Sequence, residues 1–312
     1  MNKALRLTEV IAALLLLGGC SGFVKLPKPE MRISFADSLG NEVLLPTNPV
    51  KVTALSASFA DMWLLAGGDL TGVTEDAMER GLSLSEHTEI IGSVKKPNAE
   101  LILSQRPDLV LLSADIESHH TLAETLKAAG IPCAFCRVES FEQYLVLLKT
   151  FTDLTGRKEA YEQYGSALEK DIRETLSVAQ QQPDKPSVLL IRALSTKAKA
   201  LPEDNMVSLM VAQLGADSMT ARHPSLLEEL SMEAILQENP DFILVVPMGD
   251  TQEAVEALKA SIEADPAWST LNAVREGRYR VLDQELFHYK PNDRWAESYK
   301  TLYDILYGKN DE

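Results

Sequence analysis

Apolar positions along the chain fall into three regimes. The first is an eight-residue apolar run, Val10 to Leu17, that follows the cations Lys3 and Arg6 and ends at Gly18-Gly19-Cys20. It is far shorter than the ~20 residues needed to span a bilayer. A short cationic stretch, an apolar stretch and small residues after it read as a secretory signal peptide. The second regime alternates short apolar runs with stretches whose apolar residues recur at helical spacing. Val52–Ser56, Leu70–Val73, Leu109–Ser113 and Pro132–Val138 predict strands in the first half. Val188–Arg192, Phe242–Val246 and Tyr279–Leu282 predict them in the second. Phe59–Ala66, Leu122–Ala129 and Ala254–Ile262 predict amphipathic helices between them. Strands alternating with helices predict α/β lobes with mainly parallel sheets.

The third regime, residues 141–182, is helical throughout and contains no proline. Apolar residues at 144, 145, 148 and 151 form one stripe, and those at 161, 164, 168 and 172 form another. Gly156 is placed to cap the first helix. A second helix of about 25 residues from Arg157 would be ~38 Å long. One long helix is a semi-rigid connection, so the lobes on either side are expected to move little.

The halves also repeat each other. ELILSQRPDLVL at 100–111 and EAILQENPDFIL at 233–244 align without gaps, 133 residues apart. In each, a helical pattern runs to a proline that stops it, and a strand-type run follows. Solenoid repeats are about 20–50 residues long, so this spacing means two similar domains. The predicted organisation is a leader (1–19), a spacer (20–31), an N-terminal α/β lobe (32–140), the connecting helical segment (141–182), a C-terminal α/β lobe (183–308) and a tail (309–312). The predicted fold is α/β, with two Rossmann-like lobes joined by one long α-helix and a ligand cleft between the lobes.

Composition narrows the function classes. The chain has 312 residues, 45% hydrophobic and 24% charged, which excludes a largely disordered protein. Its formal net charge of −16 repels phosphate backbones and argues against nucleic acid as a partner. Three cysteines are too few for a disulfide scaffold and lack the spacing of a structural zinc site. Cys133 and Cys136 fall in a strand-like run, where positions three apart face opposite sides about 10 Å apart. A disulfide needs Cα atoms within about 7 Å, so two reduced structural thiols are expected.

Leu17-Gly18-Gly19-Cys20 resembles the bacterial lipobox, in which the cysteine sulfur receives a diacylglyceryl group and becomes the first residue after cleavage. Together with this, the lobe–helix–lobe order and four motifs carry a wider resemblance. They are VTALSASFADMWLLAGG at 52–68, IGSVKKPNAELILSQRPDLVLLS at 91–113, LSMEAILQENPDFILVV at 230–246 and PAWSTLNAVREGRYRVL at 266–282. Over residues 31–308 the chain resembles the class III substrate-binding proteins of ABC importers, which take up ferric siderophores, haem and cobalamin. The resemblance implies a monomeric lipoprotein, tethered to the membrane through its N-terminal lipid. Its partners would be an ABC permease and its ATPase, and a small metal chelate as transported ligand with no catalytic cofactor. It also implies that Glu100 and Glu233, one per lobe, dock the protein to permease arginines. Asn98 and Ser231 are plausible N-caps that put both glutamates in a first helical turn, where complementing the helix dipole is the competing role.

A cleft ligand would meet the loops at the C-terminal ends of the strands. Those loops hold Ser58, Phe59, Lys95, Lys96, Arg192, Lys197, Lys199, Met248, His288, Tyr289 and Lys290. Cations gathered there, in so acidic a chain, point to an anionic ligand, and a ferric siderophore leads. Solvated loop lysines are the competing reading. His288 or Tyr289 could bind haem iron axially or serve as aromatic packing, and a corrinoid would use apolar contacts. The five histidines share no metal-site spacing, so no bare metal site is expected. The other function class is an extracytoplasmic enzyme with a two-lobe α/β fold. No nucleophile elbow, phosphate loop or dinucleotide fingerprint supports it.

Overall fold

Period-two alternation and buried apolar runs become fourteen short strands among the residues that the computed structural model describes, 32–46 and 49–308. The leader, the spacer, Cys20 and the tail lie outside them. An antiparallel hairpin, β1 (Arg32–Ala36) and β2 (Glu42–Pro46), precedes the first lobe. That lobe is a parallel sheet of β3 (Val52–Ala54), β4 (Gly72–Val73), β5 (Glu89–Ile90), β8 (Leu109–Ser113) and β9 (Cys133–Cys136), in the order β5-β4-β3-β8-β9. A separate small hairpin pairs β6 (Gly92–Ser93) with β7 (Lys96–Pro97). Its helices are α1 (Ala57–Leu65), α2 (Asp76–Glu79), α3 (Ala99–Gln105) and α4 (Glu117–Ala128).

The second lobe has the sheet order β11-β10-β13-β14, with β12 (Asp217–Ser218) pairing the start of β10. β10 (Ser187–Leu194), β13 (Phe242–Pro247) and β14 (Tyr279–Val281) are parallel, and β11 (Lys197–Ala200) is an antiparallel edge.

The connecting segment begins with α5 (Phe141–Thr155), capped by Gly156 in the left-handed region at φ 73°. A continuous helical stretch follows, made of α6 (Lys158–Tyr161), a π turn (Glu162–Ser166) and α7 (Ala167–Ala179). At 22 residues it is about 33 Å long, a little shorter than the sequence pattern suggested. Gly165 lets the π turn approach α5, because a Cβ there would meet Leu145 Cδ2 at 3.2 Å. Tyr144 donates its hydroxyl to the Tyr164 carbonyl at 2.9 Å in the same turn. The second lobe's helices are α8 (Met206–Gln213), α9 (Met219–Arg222), α10 (Met232–Glu238), α11 (Thr251–Ala260), α12 (Asn272–Arg275), α13 (Gln284–Phe287) and α14 (Trp295–Tyr307). No helix among the described residues is long and apolar enough to cross a membrane.

Each sheet is buried on both faces, as parallel sheets are. In β8, Leu109 and Leu111 join one core while Val110 and Leu112 join another. In β10, Val188 and Leu190 join that same first core, and Leu189 and Ile191 join a third. One central core is therefore shared by both sheets. It contains Tyr144, Leu148 and Phe151 of α5, Ile172 of α7, and Trp295, Tyr299, Leu302 and Leu306 of α14, with Leu145, Tyr161, Tyr164 and Leu168 packed against it. Both sequence stripes thus face one place. Cys133 sits in the outer core and Cys136 in the shared one, both as free thiols, as the alternation of a strand requires. Burial pushes the Cys133 thiol up to about 12, which makes it inert.

The repeat is conserved down to single atoms. Asn98 caps α3 and Ser231 caps α10 through side-chain oxygens. Both helices end on a non-glycine residue in the left-handed region, Arg106 at φ 49° and Asn239 at φ 46°. Each precedes a proline, which disfavours the right-handed helical conformation there. The aspartate after each proline then staples the start of the neighbouring strand. Asp108 accepts the Val50 and Lys51 N–H groups at 2.9 Å, and Asp241 accepts the Ser187 N–H at 2.8 Å and its hydroxyl at 2.9 Å.

Candidate functional site

Alternation along β10 places Arg192 on the face of Val188 and Leu190, at the rim of the shared core where the strand leaves the sheet. There it lines a cavity of about 60 Å³ with Met248, just past the end of β13, and with His288 and Lys290, which follow α13. Met206, Val246 and Phe287 form its apolar wall. The Arg192 Nε is buried and has no hydrogen-bond partner among the described residues, a costly condition for a charged donor.

Several contacts join the lobes beside this cavity. Lys290 Nζ meets Glu139 Oε1 at 2.6 Å, and the other carboxylate oxygen of Glu139 accepts the Met206 N–H at 3.3 Å, at the N-terminus of α8. Arg80, at the end of α2, donates through Nε to Glu285 at 3.2 Å and through Nη1 to Ser58 Oγ at 3.2 Å. Its guanidinium lies over the Tyr289 ring, 4.8 Å from the centroid, a favourable cation–π placement. Ser58 Oγ also accepts the Lys290 N–H at 3.4 Å. Asn292, buried and in the left-handed region at φ 49°, donates to the Ser58 carbonyl and to Asp61. Burial raises the Asp61 pKa, and the Asn292 hydrogen bond and Arg80 pull it back down.

His288 lies among these cations. Burial first, and then Lys290, Arg192 and Arg80, lower its pKa to about 4. At neutral pH its imidazole is uncharged, and its ring makes no hydrogen bond to another described residue. Among the described residues, no group of histidine, cysteine, aspartate and glutamate side chains gathers to hold a bare metal ion.

The candidate residues divide accordingly. Arg192, Met248, His288 and Lys290 come together at the cavity, with Tyr289 and Ser58 beside it. Phe59 does not; its ring is buried in the shared core, because the face of α1 on which it lies packs inward. Lys95 and Lys96 are exposed on the β6–β7 hairpin, and neither lines the cavity. Lys197 is exposed where β11 begins, in a different depression with Ala257, Ser261 and Asp265. Lys199 lies opposite Arg192 in the ladder but pairs with Glu228 at 3.3 Å. Glu100 and Glu233 are both exposed, in the first turns of the equivalent helices α3 and α10.

The fold has many counterparts among solved structures, and residues 52–286 match the periplasmic binding protein family. The chain belongs to that family. Among its relatives is the iron-uptake system-binding protein of Bacillus subtilis, 26% identical over 249 residues that cover 77% of this chain and 76% of the relative. Another, the Fe(3+)-citrate-binding protein YfmC of the same organism, is 23% identical over 297 residues, covering 91% and 90%. Staphylococcus aureus IsdE, solved with heme, shares the fold with a TM-score of 0.69 at 17% identity, over 83% of this chain and 99% of that one. These relatives are substrate-binding transport proteins, not enzymes, and what they carry is a transported ligand rather than a catalytic cofactor.

For a periplasmic binding protein, the residues that sequence reasoning missed are informative. Arg80, at the end of α2, is a first-lobe cation that the residue pattern does not single out. Glu139 and Glu285 carry no sequence signal in a chain this acidic. Only the fold pairs them, across 151 and 205 residues of chain.

Proposed function

We propose that this protein is the extracytoplasmic binding component of an ABC importer, tethered through lipid on Cys20, and that it captures an anionic ferric chelate of the siderophore class for delivery to a permease. The observation that carries this reading is the Arg192 Nε, buried without a partner among the described residues, beside a cavity it shares with Lys290 inside a chain of net charge −16. A buried charged donor with no protein acceptor favours an anionic group brought by a ligand. The protein would surround an already complete chelate with side-chain donors and supply no ligand to the iron. Delivery would use Glu100 and Glu233, whose matched exposure on equivalent helices suits a docking surface spanning both lobes.

Titration of the purified protein with ferric siderophores, ferric citrate, haemin and cobalamin tests the reading. Affinity for an anionic chelate should fall as salt rises. Tight binding of a neutral corrinoid with no response to any ferric chelate would refute it. Haem is the second reading, favoured by the neutral His288 imidazole in the cavity wall, since a neutral ring nitrogen can bind iron. A Soret band that shifts in His288→Ala would select haem.

A further inference from the structure

Two carboxylates already occupy this site, and both belong to the protein. Glu139 is held as a bound anion would be, with one oxygen on the Lys290 ammonium at 2.6 Å and the other on the first N–H of α8 at 3.3 Å. An ammonium together with a helix N-terminus forms an anion site. Glu285 is held by the Arg80 guanidinium, with contacts of 3.2 Å from Nε and 3.1 Å from Nη2. Ser58 Oγ lies between the two, accepting from both Arg80 and the Lys290 backbone. Each pair crosses from one lobe to the other. The adjoining cavity, which Lys290 lines but Arg80 and the two glutamates do not, measures about 60 Å³, room for about two waters. Binding pockets for small molecules span about 300–1,000 Å³, so a chelate needs more room than this cavity gives, and parting the two cross-lobe pairs would open the space beside it.

We propose that Glu139 and Glu285 stand in for carboxylates of the ligand, so that capture is an exchange and the transported species is an iron chelate carrying at least two free carboxylates. This rests on the proposed role in chelate capture and narrows its substrate class. The physical reason lies in the cations. Parting Glu139 from Lys290 and Glu285 from Arg80 leaves two half-buried cations without partners, a costly state. A ligand with two carboxylates restores both pairs. Meanwhile the glutamates, whose side chains are already 27% and 43% exposed, regain full hydration. A neutral chelate has nothing to offer the two cations and is rejected, however well its shape fits. Arg192, whose Nε lacks an internal stand-in, then contributes a third contact without any exchange.

The exchange predicts that removing an internal carboxylate tightens binding, the opposite of what removing a ligand contact does. Glu139→Gln, Glu285→Gln and the double variant are to be titrated, beside the unaltered protein, with three probes. These are ferric citrate, haemin (two propionates) and a neutral ferric trihydroxamate. Each single variant should bind a carboxylate-bearing chelate about 3–10-fold tighter, and the double variant about 10–100-fold tighter. The neutral trihydroxamate should bind the unaltered protein at least about 100-fold more weakly than the preferred probe. Whichever of ferric citrate or haemin gains from the variants identifies the source of the carboxylates. Unchanged or weaker binding by folded variants overturns the exchange while leaving chelate capture in place. Preference for the neutral chelate also overturns it. Failure of every probe with every variant removes both readings. Thermal melting confirms folding, and Glu285→Gln alone, at the more exposed pair, decides the matter if the double variant does not fold.

Discussion

The two ends of the sheets are built on different principles. At the ends where strands enter, the lobes are near copies: a capped helix, a left-handed residue, a proline and an aspartate stapled to the neighbouring strand, 133 residues apart. At the ends where strands leave, the two lobes supply different residues. The second lobe supplies Arg192, Met248, His288 and Lys290, and the first answers with Ser58, Arg80 and Glu139. The repeated end sets the architecture; the unrepeated end can take on a ligand. Two histidines show the same contrast. His119 in the first lobe spends both ring nitrogens on the backbone, accepting the Ser113 N–H at 2.9 Å and contacting the Val94 carbonyl at 2.7 Å. His288 in the second lobe keeps its ring for the cavity.

The largest test of that difference is pH. Burial and the neighbouring cations depress the folded pKa of His288 to about 4 from the ordinary histidine value of about 6.5. Between those values the unfolded chain binds a proton at this ring and the folded protein does not, so stability falls as pH drops through the window. The loss should reach about 3 kcal/mol. Denaturant unfolding of His288→Gln against the unaltered protein, at pH 7 and pH 4.5, should show most of it vanish. An identical pH dependence in the two proteins would contradict the placement of His288.

Next in size, Arg192→Ala should weaken chelate binding by ~2 kcal/mol, about thirtyfold, with little change in melting temperature. The entry-end counterparts reverse that pattern. Asp108→Asn and Asp241→Asn should each lower stability by about 1.5 kcal/mol, similarly in the two lobes, and leave chelate affinity within about twofold. A loss confined to one lobe would break the equivalence. Smallest in energy, Glu100→Arg or Glu233→Arg should change folding stability by less than about 1 kcal/mol. Cellular uptake should nonetheless fall while chelate affinity holds; normal uptake with both charges reversed would remove the docking proposal.

What was legible in the sequence was local. Seven strands of the two sheets (β3, β4, β8, β9, β10, β13 and β14), the two stripes of the connecting segment and the Gly156 cap follow from spacing within a dozen residues, whereas the short edge strands β5, β11 and β12 went unpredicted. Arg192, His288 and Lys290 were reachable because strand ends point to the cleft. Lys95, Lys96 and Lys197 obey the same rule on paper. Hairpins, however, redirect side chains in ways that residue spacing does not encode. The β1–β2 hairpin and α14 went unpredicted for a related reason. The hairpin pairs only with itself, and α14 takes its place from the core it covers. Arg80 was illegible because its direction is set by Ser58 and Tyr289, and the glutamates because their meaning lies in partners on the other lobe.

The core that spans both sheets has a consequence for how the protein can be divided. Tyr144, Ile172, Trp295 and Leu302 cover the inner faces of both lobes at once. A fragment ending before α5 would leave the inner face of its sheet bare, and so would one beginning after α7. The two lobes descend from one pattern but share a single cooperative unit. Neither half expressed alone should be soluble, whereas halves co-expressed and split within the loop 180–186 can reassemble around the same aromatic centre.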